Sequence, residues 1–431
     1  MLKVADKYKG KLAVIGLGFV GLPLSVTLAE KGFQVYGIDV DGRKITSLLN
    51  KVSYIDDVSH ERLKDAVETQ HFIPTSDFGI MEHVQSIIVC VPTPLKDKNP
   101  DLKYVESAGK EIAKHLQKGQ LVILESSTFP GTTKDVLLPM LERDDMKAGI
   151  DFYLANSPER IDPGNKQYAV TQIPKVVGGI TPECKKAAYD LYSQVYDQVV
   201  LVSSAEAAEL TKLLENTFRF INISFMNEMA VLCDDLGINI WEVIDAASTK
   251  PYGYTPFYPG PGIGGHCIPV DPLYLQWKLQ QSQKSSGFIS LSDHVNDKMV
   301  TYVAERTRKL LGEKTDPKIF LYGVTYKKDV ADIRDSTAVE VFETIAESGT
   351  DVSYHDPFIP VMTIHGNEYK SIDLTEEVLK EADIVVILTD HTQIPLDLIA
   401  QHAPIIFDTR NVTKNLPDAE SLFRLGDGRK V

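Results

Sequence analysis

Cysteine is scarce in this chain, with only Cys90, Cys184, Cys233 and Cys267 among 431 residues. So few cysteines, so widely spread, build no disulfide framework. No CxxC or Cys/His spacing marks a metal site, and no metal is expected. Positive charge is in deficit: 45 Lys and Arg stand against 60 Asp and Glu, a net charge of −15. That balance argues against nucleic acid or an anionic membrane as the main partner. It leaves open a phosphate-bearing small molecule, met by backbone dipoles and a few cations. No apolar run approaches the ~20 residues that span a bilayer. The opening, Met1-Leu2-Lys3-Val4-Ala5-Asp6-Lys7, has no apolar core of the secretory kind, so a cytoplasmic protein is expected. What the chain does have is apolar residues, 43% of the total, which exclude a disordered or fibrous protein. At roughly 100–200 residues per domain, two or three domains are expected.

The first segment reads as a doubly wound α/β domain. Lys11–Ile15 is a short apolar run, Gly16-Leu17-Gly18-Phe19-Val20-Gly21 follows at once, and Leu22–Lys31 has helical spacing. Gln34–Ile38 is a second strand ending at Asp39; Ser86–Val91 and Leu121–Leu124 are continuous apolar runs of the kind buried on both faces of a parallel sheet. From Ser204 to Leu236 there is neither Gly nor Pro, and apolar residues recur at helical spacing from Leu210 to Leu232. This is one helix spanning nearly 50 Å, or two with a hidden break. A helix that long connects domains or packs against a twin. The third segment echoes the first in four strands, at Lys318, Val352, Asp383 and Ile405, but Gly323 is followed by Val-Thr-Tyr-Lys and no second or third glycine. The expected boundaries are 1–203, 204–312 and 313–431: two Rossmann-like α/β domains joined by a long central helix and a helical domain suited to dimerisation.

A GxGxxG sequence alone is weak evidence; between a strand and a helix, with an acidic residue ending the next strand, it is the dinucleotide fingerprint. Gly16 makes the turn, Gly18 lets a pyrophosphate approach and Gly21 permits close helix packing. Asp39 accepts from a ribose diol and repels a 2′-phosphate, which favours NAD over NADP, with Arg43 the one nearby residue that softens this preference. In Gly264-Gly265-His266-Cys267-Ile268-Pro269-Val270-Asp271-Pro272, a cysteine behind two glycines lies where a ligand can approach, with Asp271 in reach if a helix or turn starts there. The other three cysteines suit apolar packing. His266, adjacent to Cys267, is a poor base for it because neighbouring side chains diverge. Lys212 and Asn216 share a helix face at i and i+4 and, taken alone, read as a solvated surface. Ser157–Gly164 and Lys327–Ser336 could each be an ordinary polar loop.

Together these motifs resemble the UDP-glucose/GDP-mannose dehydrogenase superfamily over nearly the whole chain. The matching stretches are GLGFVG at 16–21, ESSTFPGT at 125–132, SPER at 157–160, Lys212 with Asn216, GGHCIPVDP at 264–272, GVTYKKDVADIRDS at 323–336 and DTRN at 408–411. The resemblance implies a four-electron, NAD-dependent oxidation of the C6 alcohol of a UDP-sugar to a carboxylate, in a homodimer or higher oligomer. Within the superfamily, SPERIDPG departs from the UDP-glucose pattern: Arg160 stands for an aromatic residue and Pro163 for a second acid. With the loop Pro256–Cys267 and Tyr274–Lys278, it looks most like the branch acting on UDP-N-acetylglucosamine. The N-acetylmannosamine, N-acetylgalactosamine and glucose branches are the alternatives.

The resemblance also assigns roles. Cys267 would carry a thiohemiacetal and then a thioester. Lys212 would stabilise the oxyanion at C6, with Asn216 positioning it. Asp271 would move the first proton through a water, Thr128 would join that network, and Glu159 would activate the hydrolytic water. The cofactor set is Gly16, Gly18, Phe19, Val20, Gly21, Asp39, Arg43, Thr93, Thr128 and Arg334. The substrate set is Glu159, Arg160, Lys212, Asn216, Gly264, Lys327 and Arg410. A non-catalytic NAD-sensing protein on the same fold is the competing class, and loss of Cys267, Lys212 or Asp271 would have favoured it; all three are present. Short-chain and 2-hydroxy-acid dehydrogenases explain neither the cysteine loop nor the third segment.

Overall fold

The computed structural model describes residues 10–55, 57–96, 98–161 and 168–430. The chain divides into two compact units, one of residues up to Glu215 with Leu273–Gln283, the other of Asn216–Pro272 with the chain from Lys284. In the first, eight strands lie side by side in the order Val199–Leu201, Lys175–Gly179, Tyr153–Asn156, Leu121–Leu124, Ser86–Val89, Lys11–Ile15, Gln34–Ile38, Phe72–Thr75. All neighbours are parallel except Tyr153–Asn156 with Lys175–Gly179. The apolar runs are continuous because both faces are covered. Leu12 and Val14 pack in one core with Leu22, Leu24 and Leu28 of the helix Gly21–Glu30. Ala13 and Ile15 pack in another with Val105, Ala108 and Ile112 of the helix Lys103–His115.

The second unit holds a five-stranded, all-parallel sheet in the order Asp351–His355, Lys318–Tyr322, Ile384–Ile387, Ile406–Asp408, Leu422–Arg424. Its likeness to the first extends to single hydrogen bonds. Gly16 N–H donates to Ile38 O at 2.8 Å and Gly323 N–H to His355 O at 2.9 Å. Leu17 N–H donates to Asp39 Oδ2 at 2.9 Å, and Val324 N–H to Asp356 Oδ2 at 2.7 Å. The copies diverge at that aspartate. Asp356 receives the ring of His391 at 3.2 Å, and both side chains are fully buried. His391 Nδ1 accepts from Asp329 N–H at 3.0 Å, so Nε2 is the protonated nitrogen facing Asp356. The second copy thus pairs its aspartate with a histidine where the first pairs Asp39 with Lys44, and it has no glycine triplet before it.

The stretch after Ser204 is one unbroken helix, Ala205–Leu236, which removes the two-helix alternative. Leu213, Phe220, Met226, Ala230 and Cys233 are among its buried residues, whereas Leu210, Leu214, Phe218, Phe225, Leu232 and Leu236 are exposed. With half-buried Ile221 and Met229 these form one stripe at spacings of three and four, so most of the apolar pattern visible in the sequence faces outward. Among the described residues no helix is long and apolar enough to cross a membrane, and no cluster of His, Cys, Asp and Glu suits a metal.

Candidate active site

Each fingerprint glycine has a distinct steric reason. Gly16 sits at φ +92°, and a Cβ there would lie 2.5 Å from Cys90 O. A Cβ on Gly21 would lie 1.8 Å from Gly16 O, so the helix reaches its close position only without one. Nothing lies within 4 Å of the equivalent point at Gly18. That open backbone, before the N-terminus of the helix Gly21–Glu30, is what a pyrophosphate needs. Phe19 beside it is exposed and Val20 half-buried. Asp39 is buried and accepts from Leu17 N–H, from Asp41 N–H at 2.9 Å and from Lys44 Nζ at 3.0 Å. Arg43 is otherwise engaged: its guanidinium forks onto Asp41 at 3.0 and 2.8 Å and holds that carboxyl down at about 2. The cation beside Asp39 is therefore Lys44 and not Arg43, the residue expected there from the sequence. Asp39→Ala should weaken NAD severalfold and, by freeing Lys44, narrow the preference over NADP. Calorimetric titration with both dinucleotides checks this, and unchanged NAD affinity would remove Asp39 from the site.

Glu125 and Glu159 follow the C-terminal ends of Leu121–Leu124 and Tyr153–Asn156, Lys175 opens the strand antiparallel to the latter, and the three form a buried ionic trio. Lys175 Nζ reaches Glu125 Oε2 at 2.9 Å and Glu159 Oε2 at 3.0 Å, with all three side chains almost inaccessible. Tyr192 donates to Glu125, and the rings of Tyr192 and Tyr196 lie 5.4 and 5.3 Å from the ammonium. Burial pushes Glu125 up to about 7 against the pull of Lys175. For Glu159 burial acts the same way but is outweighed by Lys175 and by a backbone amide, and its pKa falls. Glu159 Oε1 accepts from the N–H groups of Arg160 and Ile161, both at 2.7 Å. Arg160 turns to Glu215 (2.6 and 3.1 Å) and to Pro174 O at 2.8 Å. Pro163 and the rest of 162–167 lie outside the described residues.

The helix Ala205–Leu236 brings Lys212 to Ser127, whose hydroxyl it bonds. Neighbouring Thr128 is buried and its hydroxyl finds no hydrogen-bond partner among the described residues, which leaves it available to a ligand. The Thr93 carbonyl accepts from the Tyr274 hydroxyl at 2.7 Å.

In the second unit a helix does start after the cysteine. It runs Val270–Gln280, and Asp271 N–H donates to Cys267 O at 3.0 Å. Cys267 is exposed while Cys90, Cys184 and Cys233 are buried, as their contexts suggested. Asp271 is 1% exposed and accepts from Asn216 Nδ2 at 2.5 Å. The paired glycines each face a close neighbour within the chain. A Cβ on Gly264 would meet Asp335 O at 2.6 Å, and one on Gly265, at φ +85°, the Tyr326 ring at 2.6 Å. They admit a neighbouring protein segment, Tyr326–Asp335, against the cysteine loop. His266 is tied to Asp335 at 2.8 Å, which supports its exclusion as the cysteine's base. Lys327 is half-buried on that segment, and Arg334 forks onto Asp332 at 2.6 and 2.9 Å. Arg410 donates to Leu388 O at 2.9 Å and leaves no room for a Cβ on Gly260.

A Rossmann glycine turn with a buried aspartate after its second strand, a second Rossmann-like domain without the glycine triplet, and an exposed cysteine behind paired glycines define the class, a dinucleotide-dependent oxidoreductase. The chain belongs to the UDP-glucose/GDP-mannose dehydrogenase family. Its NAD-binding domain matches residues 10–196, its central domain 206–298 and its UDP-binding domain 320–415. It is 33% identical to the NDP-N-acetyl-D-galactosaminuronic acid dehydrogenase of Ralstonia solanacearum, over 93% of this chain and 96% of that one. The solved UDP-D-ManNAc dehydrogenase of Pyrococcus horikoshii superposes with a TM-score of 0.87 at 31% identity, covering 97% of this chain and 99% of that one. The UDP-N-acetyl-mannosamine dehydrogenase of Staphylococcus aureus gives 0.83 at 30%, covering 97% and 98%. This protein is an NAD-dependent UDP-sugar dehydrogenase.

Proposed function

We propose that the substrate is a UDP-2-acetamido-2-deoxyhexose, oxidised at C6 to the uronate, and that the gluco epimer, UDP-N-acetylglucosamine, is preferred. The observation that carries the acetamido group is the set of relatives. Those at 31–34% identity over at least 89% of this chain are named for N-acetylmannosamine or N-acetylgalactosaminuronic acid. The gluco preference rests on the loops SPERIDPG and Pro256–Cys267. A panel of UDP-hexoses tests both: kcat/KM should be highest for UDP-N-acetylglucosamine, lower for its manno and galacto epimers and lowest for UDP-glucose. A higher value for another acetamido epimer moves the epimer assignment, and one for UDP-glucose overturns the reading.

NAD, when bound, takes a hydride in each of two oxidations of C6. The chain's own residues do the rest. Asp271 accepts, through a water, the proton of the C6 hydroxyl, held in place by the Asn216 amide. Lys212 stabilises the negative charge that develops on the C6 oxygen in both stages. The Cys267 thiolate adds to the aldehyde carbon, giving a thiohemiacetal that retains the intermediate; its second oxidation gives a thioester. Water hydrolyses the thioester to carboxylate and thiol. Glu159, kept anionic by Lys175, orients that water, and Glu125, which titrates near neutrality, is the better proton sink. Thr128 offers its hydroxyl to the first proton's network. Lys327 and Arg410 meet the nucleotide, Arg160 and Gly264 border the sugar, and Thr93 and Arg334 serve the dinucleotide.

The partner that fits the exposed stripe of the long helix is a second copy of this chain, since Leu214, Phe218, Phe225 and Leu236 are each more than half exposed on one continuous apolar face. Phe225→Glu should convert a dimer to a monomer in light scattering. A wild-type chain that is monomeric at micromolar concentration would contradict this.

A further inference from the structure

Glu209 is 3% exposed and, among the described residues, bonded to no cation. Its carboxylate is met by one short segment. Oε2 accepts from Gly131 N–H at 2.6 Å, and Oε1 from Thr133 N–H at 2.8 Å and the Thr133 hydroxyl at 2.6 Å. These two N–H groups open the helical turn Thr132–Leu137, so the carboxylate also meets the positive end of that turn. Gly131 reaches this geometry at φ +102°, a conformation suited to glycine. One turn along the same helix, Lys212 bonds Ser127 at the other end of the same segment. The segment Ser127–Thr133 is thus gripped at two points by a single helical turn, and only one grip bears on the proposed oxyanion lysine.

We propose that Glu209 is a positioning residue for Lys212: it fixes the rotation and height of the helix on the Ser127–Thr133 segment, and so the place of the ammonium. A slip of one residue rotates a helix by about 100° and would carry Lys212 off the segment. Two short bonds to rigid backbone amides prevent that slip better than any contact of a long lysine could. Burial raises Glu209 to about 7 despite its three donors. The ionised form accepts all three, whereas a proton on either oxygen displaces one, so the grip is firmer on the alkaline side of neutrality. The groups facing Glu209 are Thr133 and Gly131 from the segment and Glu206 from its own helix, the last raising its pKa further.

The proposal rests on Lys212 serving the oxyanion, and a double-mutant cycle separates the two. Wild type, Glu209→Gln, Lys212→Ala and the double variant are assayed with NAD and UDP-N-acetylglucosamine, with a discontinuous product assay over hours for the slow ones. Glutamine is isosteric but has one acceptor oxygen. Glu209→Gln should lower kcat about 10- to 100-fold with KM for NAD within about twofold, as expected for sub-ångström misplacement of a charge. In the Lys212→Ala background the same change should cost less than about threefold, because there is no ammonium left to misplace. Thr133→Val, which deletes one donor and keeps the backbone bonds, should shift kcat in the same direction by a smaller factor. Wild-type kcat in Lys212→Ala would remove the lysine's role and the proposal with it. Loss in Lys212→Ala with unchanged kcat in Glu209→Gln, or with equal losses in both backgrounds, would overturn the proposal alone.

Discussion

A Cys267→Ala enzyme is expected to bind NAD and UDP-sugar as the wild type does and to make almost no uronate. The proposed mechanism gives the thiol no part in phosphate, ribose or uracil recognition, so its loss should leave affinity in place. Cys267 is exposed, and its carbonyl still caps Asp271 N–H in the variant, so the start of the helix Val270–Gln280 survives. Without the thiol no thiohemiacetal forms, and the second oxidation has no covalent route. A slow first oxidation persists because Lys212 and Asp271 remain. Uronate formation should fall by several orders of magnitude, with at most about one NADH per sugar. A bound aldehyde hydrate supplies a small residual flux. Uronate production at the wild-type rate would return Cys267 to a packing role.

Lys175→Met should be the most destabilising single change in the first unit. It leaves Glu125 and Glu159 facing each other in a core that exposes neither, and breaking a buried pair from one side costs about 3–5 kcal/mol. The sign of its pH dependence is fixed. Without the ammonium both carboxyls are pushed up in the folded state, so the folded chain holds more protons than the unfolded one above pH ~4.5. Stability of the variant should therefore recover as pH falls from about 8 to 5 and be worst at alkaline pH. Urea melts at three pH values measure it. A loss below about 1 kcal/mol at pH 8 would mean that water, and not the trio, solvates these carboxylates.

The strands, the long helix and the fingerprint were legible because each is a local pattern: continuous apolar runs, an uninterrupted 3.6-residue period, and glycines between a strand and a helix. Cys267 and Asp271 were legible as a motif, and Asn216 meets Asp271 as a side-chain pair only in the fold. What escaped depends on distant pairings. Lys175 opens a strand and reads as an ordinary surface lysine, and Glu125 is 50 residues away in sequence. Ser127 and Thr128 are adjacent hydroxyls in one motif, and helix register on the segment decides that Ser127 is the one to meet Lys212. Lys44 against Arg43 is a question of which side chain in the first turn of the helix Gly42–Leu49 points at Asp39, and the Asp41 cap takes the arginine. Gly264 and Gly265 mark a close approach in the sequence, but that Tyr326 and Asp335 of this chain lie against them is visible only in the fold.

The most direct measurement is the stoichiometry of a complete turnover: limiting UDP-N-acetylglucosamine, excess NAD, and NADH and uronate counted together. Two NADH for each uronate, with no free aldehyde trapped by hydroxylamine, is the expected result. One NADH with a trappable aldehyde, or no turnover of any UDP-acetamido sugar, would contradict a four-electron oxidation held on Cys267.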